Sequence, residues 1–176
     1  MLKKEFPIED EWLAYELRPE TPREGIPLAT VFPGIDLKQR YENMNKAGDP
    51  YGISFGELSR VSNSHAALQA AEYAKDLGKF HEFHDRVFMA YFLELLDIGN
   101  PDVMLMLARE VGLDHEGLRE ALETDRYAPR LTEAREDATK SSITAVPTFI
   151  IADEQKIVGA QSLDVFRKRL QAAATK

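Results

Sequence analysis

Apolar residues recur along this chain in two rhythms, and each change of rhythm marks an element. From Asn63 to Leu77 a 3.6-residue repeat places Ala66, Ala67, Ala70, Ala71, Ala74 and Leu77 on one face. Ser62 or Asn63 stands where a cap belongs and Gly78 ends the run, so the pattern predicts a helix whose alanine face admits a close neighbour. Phe80 to Leu95 repeats the period with a heavier stripe of Phe80, Phe83, Val87, Phe88, Tyr91, Phe92 and Leu95. Such a stripe reads as packed core between helices rather than as a cofactor site. Asn100-Pro101-Asp102 supplies the cap, first-position proline and first-turn acid of a third helix, which runs through Leu105, Leu107 and Val111 to Gly112. Asp114 caps a short fourth helix with Leu118, Ala121 and Leu122 inward, and Tyr127 to Ser141 is a fifth with Leu131, Ala134 and Ala138 inward. Upstream, Asp36 caps a polar helix that runs to Lys46 and stops before Gly48-Asp49-Pro50, and Tyr51 to Phe55 is irregular or briefly extended.

The second rhythm is shorter. Ile8 to Leu17 alternates imperfectly, and Trp12 and Tyr15 favour a strand over Glu11–Leu17 with Trp12 as a core anchor. Arg18 to Gly34 carries Pro19, Pro22, Pro27 and Pro33, which predicts a stretch without regular structure: a lid, a binding loop, a disordered segment or a plain solvated connection. Near the other end, a polar helix stops at Ser141-Ser142 and an apolar run, Ile143 to Ile151, follows with Pro147 inside it. Proline donates no ladder hydrogen bond but can open a strand, so Pro147 is the residue that turns the chain into one. Asp153-Glu154-Gln155 is turn-like, Lys156 to Gly159 forms a second strand, and Ser162 caps a last helix with Leu163, Phe166 and Leu170 inward. Arg167, Lys168 and Arg169 suit the C-terminal end of its dipole.

Length and composition narrow the picture. The 176 residues suffice for one domain, or one domain with an insertion. A net charge of −8 argues against nucleic acid or an anionic membrane as the main partner. No apolar run reaches the ~18 residues of a membrane span. No apolar segment follows Lys3 and Lys4 as in a signal peptide, so the expected location is cytoplasmic. There is no cysteine, which removes disulfides, thiolate metal sites and dithiol chemistry from these residues. His81 and His84 share a helix face, but no third ligand stands at a recognisable spacing, so no metal is expected; His65 opens a helix and is the better candidate to line a site. No phosphate loop, dinucleotide fingerprint or nucleophile elbow appears.

The order helix, Val146-Pro147-Thr148-Phe149, strand, turn, strand, Gly159-Ala160-Gln161, helix resembles the second half of a thioredoxin-like domain, in particular the DsbA family and its FrnE-like branch. Tyr15 to Gly25 and Ser62-Asn63-Ser64-His65 carry the same likeness, which spans Trp12 to Ala173. It implies an α/β, thioredoxin-like fold with an inserted α-helical domain. Residues 1–60 and 125–176 would form an incomplete thioredoxin-like domain, and 61–124 the helical insertion. It further implies a cis Val146–Pro147 bond and a substrate groove for a peptide or protein. There Ala145, Val146 and Pro147 would pair with an extended substrate and shape the groove, without transferring protons or electrons. No cofactor is implied.

Related proteins include thiol–disulfide oxidoreductases and glutathione-dependent isomerases of 2-hydroxychromene-2-carboxylate. The Val158-Gly159-Ala160-Gln161-Ser162 wording favours the FrnE-like side. In this family a strand and a helix bearing Cys-x-x-Cys come first, whereas this chain starts where the next strand would begin. The resemblance therefore implies that the first strand and the redox helix are missing. The gap left in the sheet would be filled by a strand from a partner chain, or by rearrangement in a homodimer. The expected function is that of a DsbA/FrnE-like thiol–disulfide oxidoreductase (dithiol–disulfide isomerase) family protein that is redox-inactive as given. Two alternatives stand beside it: a cysteine-free, chaperone-like peptide-binding module, and a glutathione-linked isomerase-like protein. Whether the chain is an enzyme stays open at this point.

Overall fold

The computed structural model describes residues 2–152 and 155–174. The chain divides into two compact units, residues 18–132 and residues 1–17 with 133–176. Among the described residues no helix is long and apolar enough to cross a membrane.

The first unit is built on α3 (His65–Asp76), α4 (Phe80–Phe92), α5 (Pro101–Glu110) and α6 (His115–Glu123). The starts of α5 and α6 follow the capping chemistry read from the sequence, whereas α3 starts later than expected: Ser64, not Ser62 or Asn63, is its cap residue and makes no side-chain cap bond, while Asn63 Oδ1 accepts from the His65 amide at 2.8 Å. Asn100 Oδ1 accepts from the Asp102 amide at 3.0 Å and Asp114 Oδ1 from the Glu116 amide at 3.1 Å. Lys79 Nζ donates to the two carbonyls that follow α5, Val111 at 2.8 Å and Gly112 at 3.1 Å, where positive charge also meets the negative end of the helix dipole. The alanine face of α3 does what its small side chains allow: Ala70 and Ala74 are fully buried against a core that includes Phe83, Met104, Leu107 and Leu118. A Cβ at Gly117 would strike the Tyr73 hydroxyl, which donates to the Asp114 carbonyl at 3.0 Å, so glycine lets α6 approach α3.

Polar side chains fix the start of α7 (Ala128–Lys140). Gln69, 1% exposed, donates to Asp125 at 2.9 Å and accepts from the Tyr127 amide at 3.2 Å. Arg130 forks onto Asp76 at 2.7 and 3.0 Å, and the Tyr127 hydroxyl adds a third bond to that carboxylate at 2.8 Å. Arg130 chiefly holds the Asp76 carboxyl below its ordinary range.

Three further sequence expectations change in this unit. Leu77 is half-exposed because α3 ends at Asp76 and Gly78, with φ at 68°, turns the chain away. The aromatic stripe of α4 divides. Phe83 and Val87 enter the core, while Phe80, His84, Phe88 and Phe92 stack in a row with ring centroids 5.4, 4.2 and 5.4 Å apart. Along this row Phe80, His84 and Phe92 are partly buried and Phe88 reaches the surface. The helix stops at Phe92 rather than Leu95, whose φ is 62°.

The third change is the proline-rich stretch, which is not without regular structure. Ile26–Pro27 (β1) pairs antiparallel with Arg60–Val61 (β2), and Leu28–Val31 (α1) forms one helical turn. Arg60 donates to the Glu24 and Gly25 carbonyls at 3.0 and 2.9 Å, and Asn63 Nδ2 to the Thr21 carbonyl at 2.5 Å. Gly25, with φ at 74°, lies where a Cβ would stand 2.5 Å from the Val61 carbonyl. The stretch is therefore strapped to residues 59–63. Beyond it, α2 (Leu37–Gly48) is capped by Asp36 as expected, at 3.0 Å from the Gln39 amide.

The second unit holds β3 (Thr148–Ile151), β4 (Gln155–Val158) and α8 (Leu163–Ala174). β3 and β4 are antiparallel, with Phe149 opposite Ile157 and Ile151 opposite Gln155. Alternation sends Phe149, Ile151 and Ile157 to one face of this two-stranded sheet and Thr148, Ile150 and Val158 to the other. On the first face Phe149 meets Phe166 of α8 edge-on at 4.8 Å, and Ile157 is 4% exposed. Leu163, Phe166 and Leu170 are half-buried on α8, as its periodicity predicts. Arg167 of α8 grips Glu5 in a fork of 2.7 and 2.9 Å, which lowers the Glu5 carboxyl from its ordinary pKa.

The strand expected at Glu11–Leu17 is not formed: residues 7–16 have no regular structure. Among the described residues no segment pairs with it, and an unpaired extended segment has no ladder to define it. Trp12 is not a core anchor either. It is 43% exposed, with its indole N–H donating to Asp10 at 2.8 Å. Of the turn expected at Asp153-Glu154-Gln155, the first two residues lie outside the described residues, and Gln155 already opens β4.

Candidate functional site

The residues singled out from the sequence, Ala145, Val146 and Pro147, form a short loop between α7 and β3. It begins where α7 closes. The Ser141 amide donates to the Asp137 carbonyl at 2.9 Å and the Ile143 amide to the Ala138 carbonyl at 2.8 Å, while Ser142 takes φ of 51°. This is the left-handed exit that ends many helices. The Val146–Pro147 peptide bond is cis.

Residues outside these three hold the loop. The Thr148 hydroxyl donates back to the Ala145 carbonyl at 2.7 Å. The Gly159 amide donates to the Pro147 carbonyl at 2.8 Å, at a φ of 79° that favours glycine. Lys156 Nζ donates to the Ser141 carbonyl, and the Tyr15 hydroxyl reaches the Ile143 carbonyl at 3.5 Å. Gln161 ties off the turn after β4 through the Val158 carbonyl at 2.9 Å. A signal for some of these existed: Thr148 follows the proline directly, and Gly159-Ala160-Gln161 stood out as wording. Tyr15 and Lys156 act across the chain, which spacing does not reveal.

The loop so held shows solvent an apolar surface. Val146 is 48% exposed, Pro147 is exposed and Ala145 half-buried. No thiol, carboxylate or imidazole belongs to it. What it shows solvent is apolar side chains and backbone.

The histidines lie in the helical unit. His65 Nε2 is 3.8 Å from Asp125 Oδ1, and His84 stacks on Phe88. That unit also has a cavity of about 150 Å³ lined by Glu24, Glu57, Leu58, Arg60, Leu95 and Asp97 among others.

Comparison with known proteins sets this geometry in a family. The model of the DSBA-like thioredoxin domain matches residues 6–171. The uncharacterized protein YwbO of Bacillus subtilis is 36% identical over 169 residues, which cover 93% of this chain and 81% of that protein. A probable DsbA oxidoreductase, SCO1869 of Streptomyces coelicolor, superposes with a TM-score of 0.80 at 22% identity, over 92% of this chain and 73% of its own. A 2-hydroxychromene-2-carboxylate isomerase superposes with a TM-score of 0.73 at 17% identity, over 98% of this chain and 85% of its own. With the family model matching residues 6–171, the chain belongs to the family of DSBA-like thioredoxin domains.

Proposed function

We propose that this chain is a FrnE-like relative of the thiol–disulfide oxidoreductases that, as given, binds peptide without redox chemistry. The observation that carries this reading is the pairing of family membership over residues 6–171 with the absence of any cysteine from the 176 residues. The thiolate is the nucleophile of disulfide exchange, so these residues supply none. What they retain is the loop at Ala145, Val146 and Pro147, apolar, half-exposed and braced by Thr148 and Gly159. An extended, apolar peptide segment fits it through backbone pairing and side-chain contact.

The test is binding of a labelled, thiol-free, unfolded substrate such as carboxymethylated lactalbumin, read by fluorescence anisotropy. Val146→Asp puts a charge on the exposed loop without touching a buried residue. It is expected to weaken binding about tenfold, the effect of roughly 1.4 kcal/mol, with the thermal transition unchanged. Equal binding by the variant, or turnover in a disulfide-reduction assay by the wild-type chain, would overturn the reading.

A further inference from the structure

The backbone carbonyls around the candidate loop alternate in their fate. Those of Ser141, Ile143, Ala145 and Pro147 are each engaged by a donor of the same unit. The donors are Lys156 Nζ, the Tyr15 hydroxyl at 3.5 Å, the Thr148 hydroxyl at 2.7 Å and the Gly159 amide at 2.8 Å. Among the described residues no hydrogen bond reaches the amide or the carbonyl of Thr144 or Val146, and both residues are exposed.

This alternation bears on how a chain could be held. An extended peptide bound through its backbone pairs with the N–H and C=O of alternate residues. A segment that offers every carbonyl can be met in two registers, one residue apart. A segment whose alternate carbonyls are already engaged can be met in one. Of the four donors, Thr148 is the local one, three residues from its acceptor. Its hydroxyl holds the carbonyl of half-buried Ala145, the residue between Thr144 and Val146. Short hydroxyl-to-backbone bonds of this kind set the conformation of a loop without help from the rest of the fold.

We infer that Thr148 is a positioning residue for peptide binding: its hydroxyl withdraws the Ala145 carbonyl and so confines backbone pairing to Thr144 and Val146. The inference rests on the peptide-binding reading and adds a register to it. Thr148 acts through Ala145. The groups that meet the bound chain are the backbone of Thr144 and Val146 and the exposed Val146 side chain.

Two substitutions separate the hydroxyl from the shape of the residue. Thr148→Val keeps the β-branched form and removes the donor, whereas Thr148→Ser keeps the donor. With carboxymethylated lactalbumin as the probe, Thr148→Val is expected to weaken binding about fivefold and Thr148→Ser less than about twofold. A loosened loop could also weaken binding, so the deciding measurement is made at saturating probe, by amide exchange read residue by residue in nuclear magnetic resonance. In the wild type the amides of Thr144 and Val146 are expected to slow about tenfold or more on binding, and that of Ala145 to stay fast. In Thr148→Val the Ala145 amide is expected to slow as well, because the second register has opened, and Thr148→Ser should restore the wild-type pattern. Absence of binding by the wild type would overturn the peptide-binding reading and this inference with it. Wild-type binding with the same pattern of slowed amides in Thr148→Val, at whatever affinity, would overturn this inference alone and reduce Thr148 to a structural support.

Discussion

The two units of this chain treat their apolar residues differently. In residues 18–132, α3 to α6 enclose a core in which Ala70, Phe83, Met104, Leu107 and Leu118 have no exposure at all. In residues 1–17 with 133–176, the buried apolar side chains among the described residues are Ala138 and Ile157, while Trp12, Leu13, Leu17, Val146, Phe149, Ile150 and Val158 remain largely open. Hydrophobic content does not explain the contrast. A helix satisfies its backbone within itself and needs only a facing surface, which the next helix supplies a few residues later. A strand must borrow hydrogen bonds as well as cover, and among the described residues β3 pairs with β4.

This comparison can be sharpened by substitutions that ought to separate the units. Phe83→Ala in the helical core should cost about 3–5 kcal/mol in urea unfolding. Ile150→Ala, at a position already 49% exposed, should cost about 1 kcal/mol or less. Similar costs at both sites would break the comparison. Next in size is Gln69→Ala, which leaves the Tyr127 amide and its own buried surroundings unpaired; a loss of about 1–3 kcal/mol is expected in the same assay. Asp114→Ala, which removes the cap of α6, should cost about 1 kcal/mol.

The smallest effect is electrostatic. The Arg130 fork lowers the Asp76 pKa below its ordinary value, so the folded state favours the charged carboxylate. The stabilisation is complete above that ordinary value and is lost as pH falls through the lowered folded one. Asp76 and Arg130 are both over a third exposed, so water screens the pair and the contribution is about 1 kcal/mol or less. Unfolding midpoints from pH 7 to pH 3 should fall less steeply for Asp76→Asn than for the wild type; parallel curves would show that the pair contributes nothing.

Much of the helical unit is legible from sequence because its signals are local. Asn100-Pro101-Asp102 and Asp114 announce helix starts, Gly78 and Gly112 the ends, and Leu118 and Ala121 the inner face of α6. The split of the α4 stripe was less visible, because Phe83 and Phe88 differ in fate only through the angle at which neighbouring helices arrive. At the candidate site, Pro147 and the hairpin that follows could be read from the chain, whereas the supports from Tyr15 and Lys156 depend on tertiary placement. The reading failed at Glu11–Leu17, where aromatic and apolar residues suggested a strand that no described segment pairs with. Strand propensity describes a side chain's fit to a pleated surface and cannot supply the surface.

Amide hydrogen exchange tests the central contrast most directly. At low micromolar concentration, amides within α3 to α6 are predicted to exchange only through global unfolding. The amides of Thr148 and Ile150, which point away from β4, are predicted to exchange orders of magnitude faster. Equal protection of β3 and the helical core in dilute solution would contradict the account, because it would mean that the chain closes β3 with its own residues.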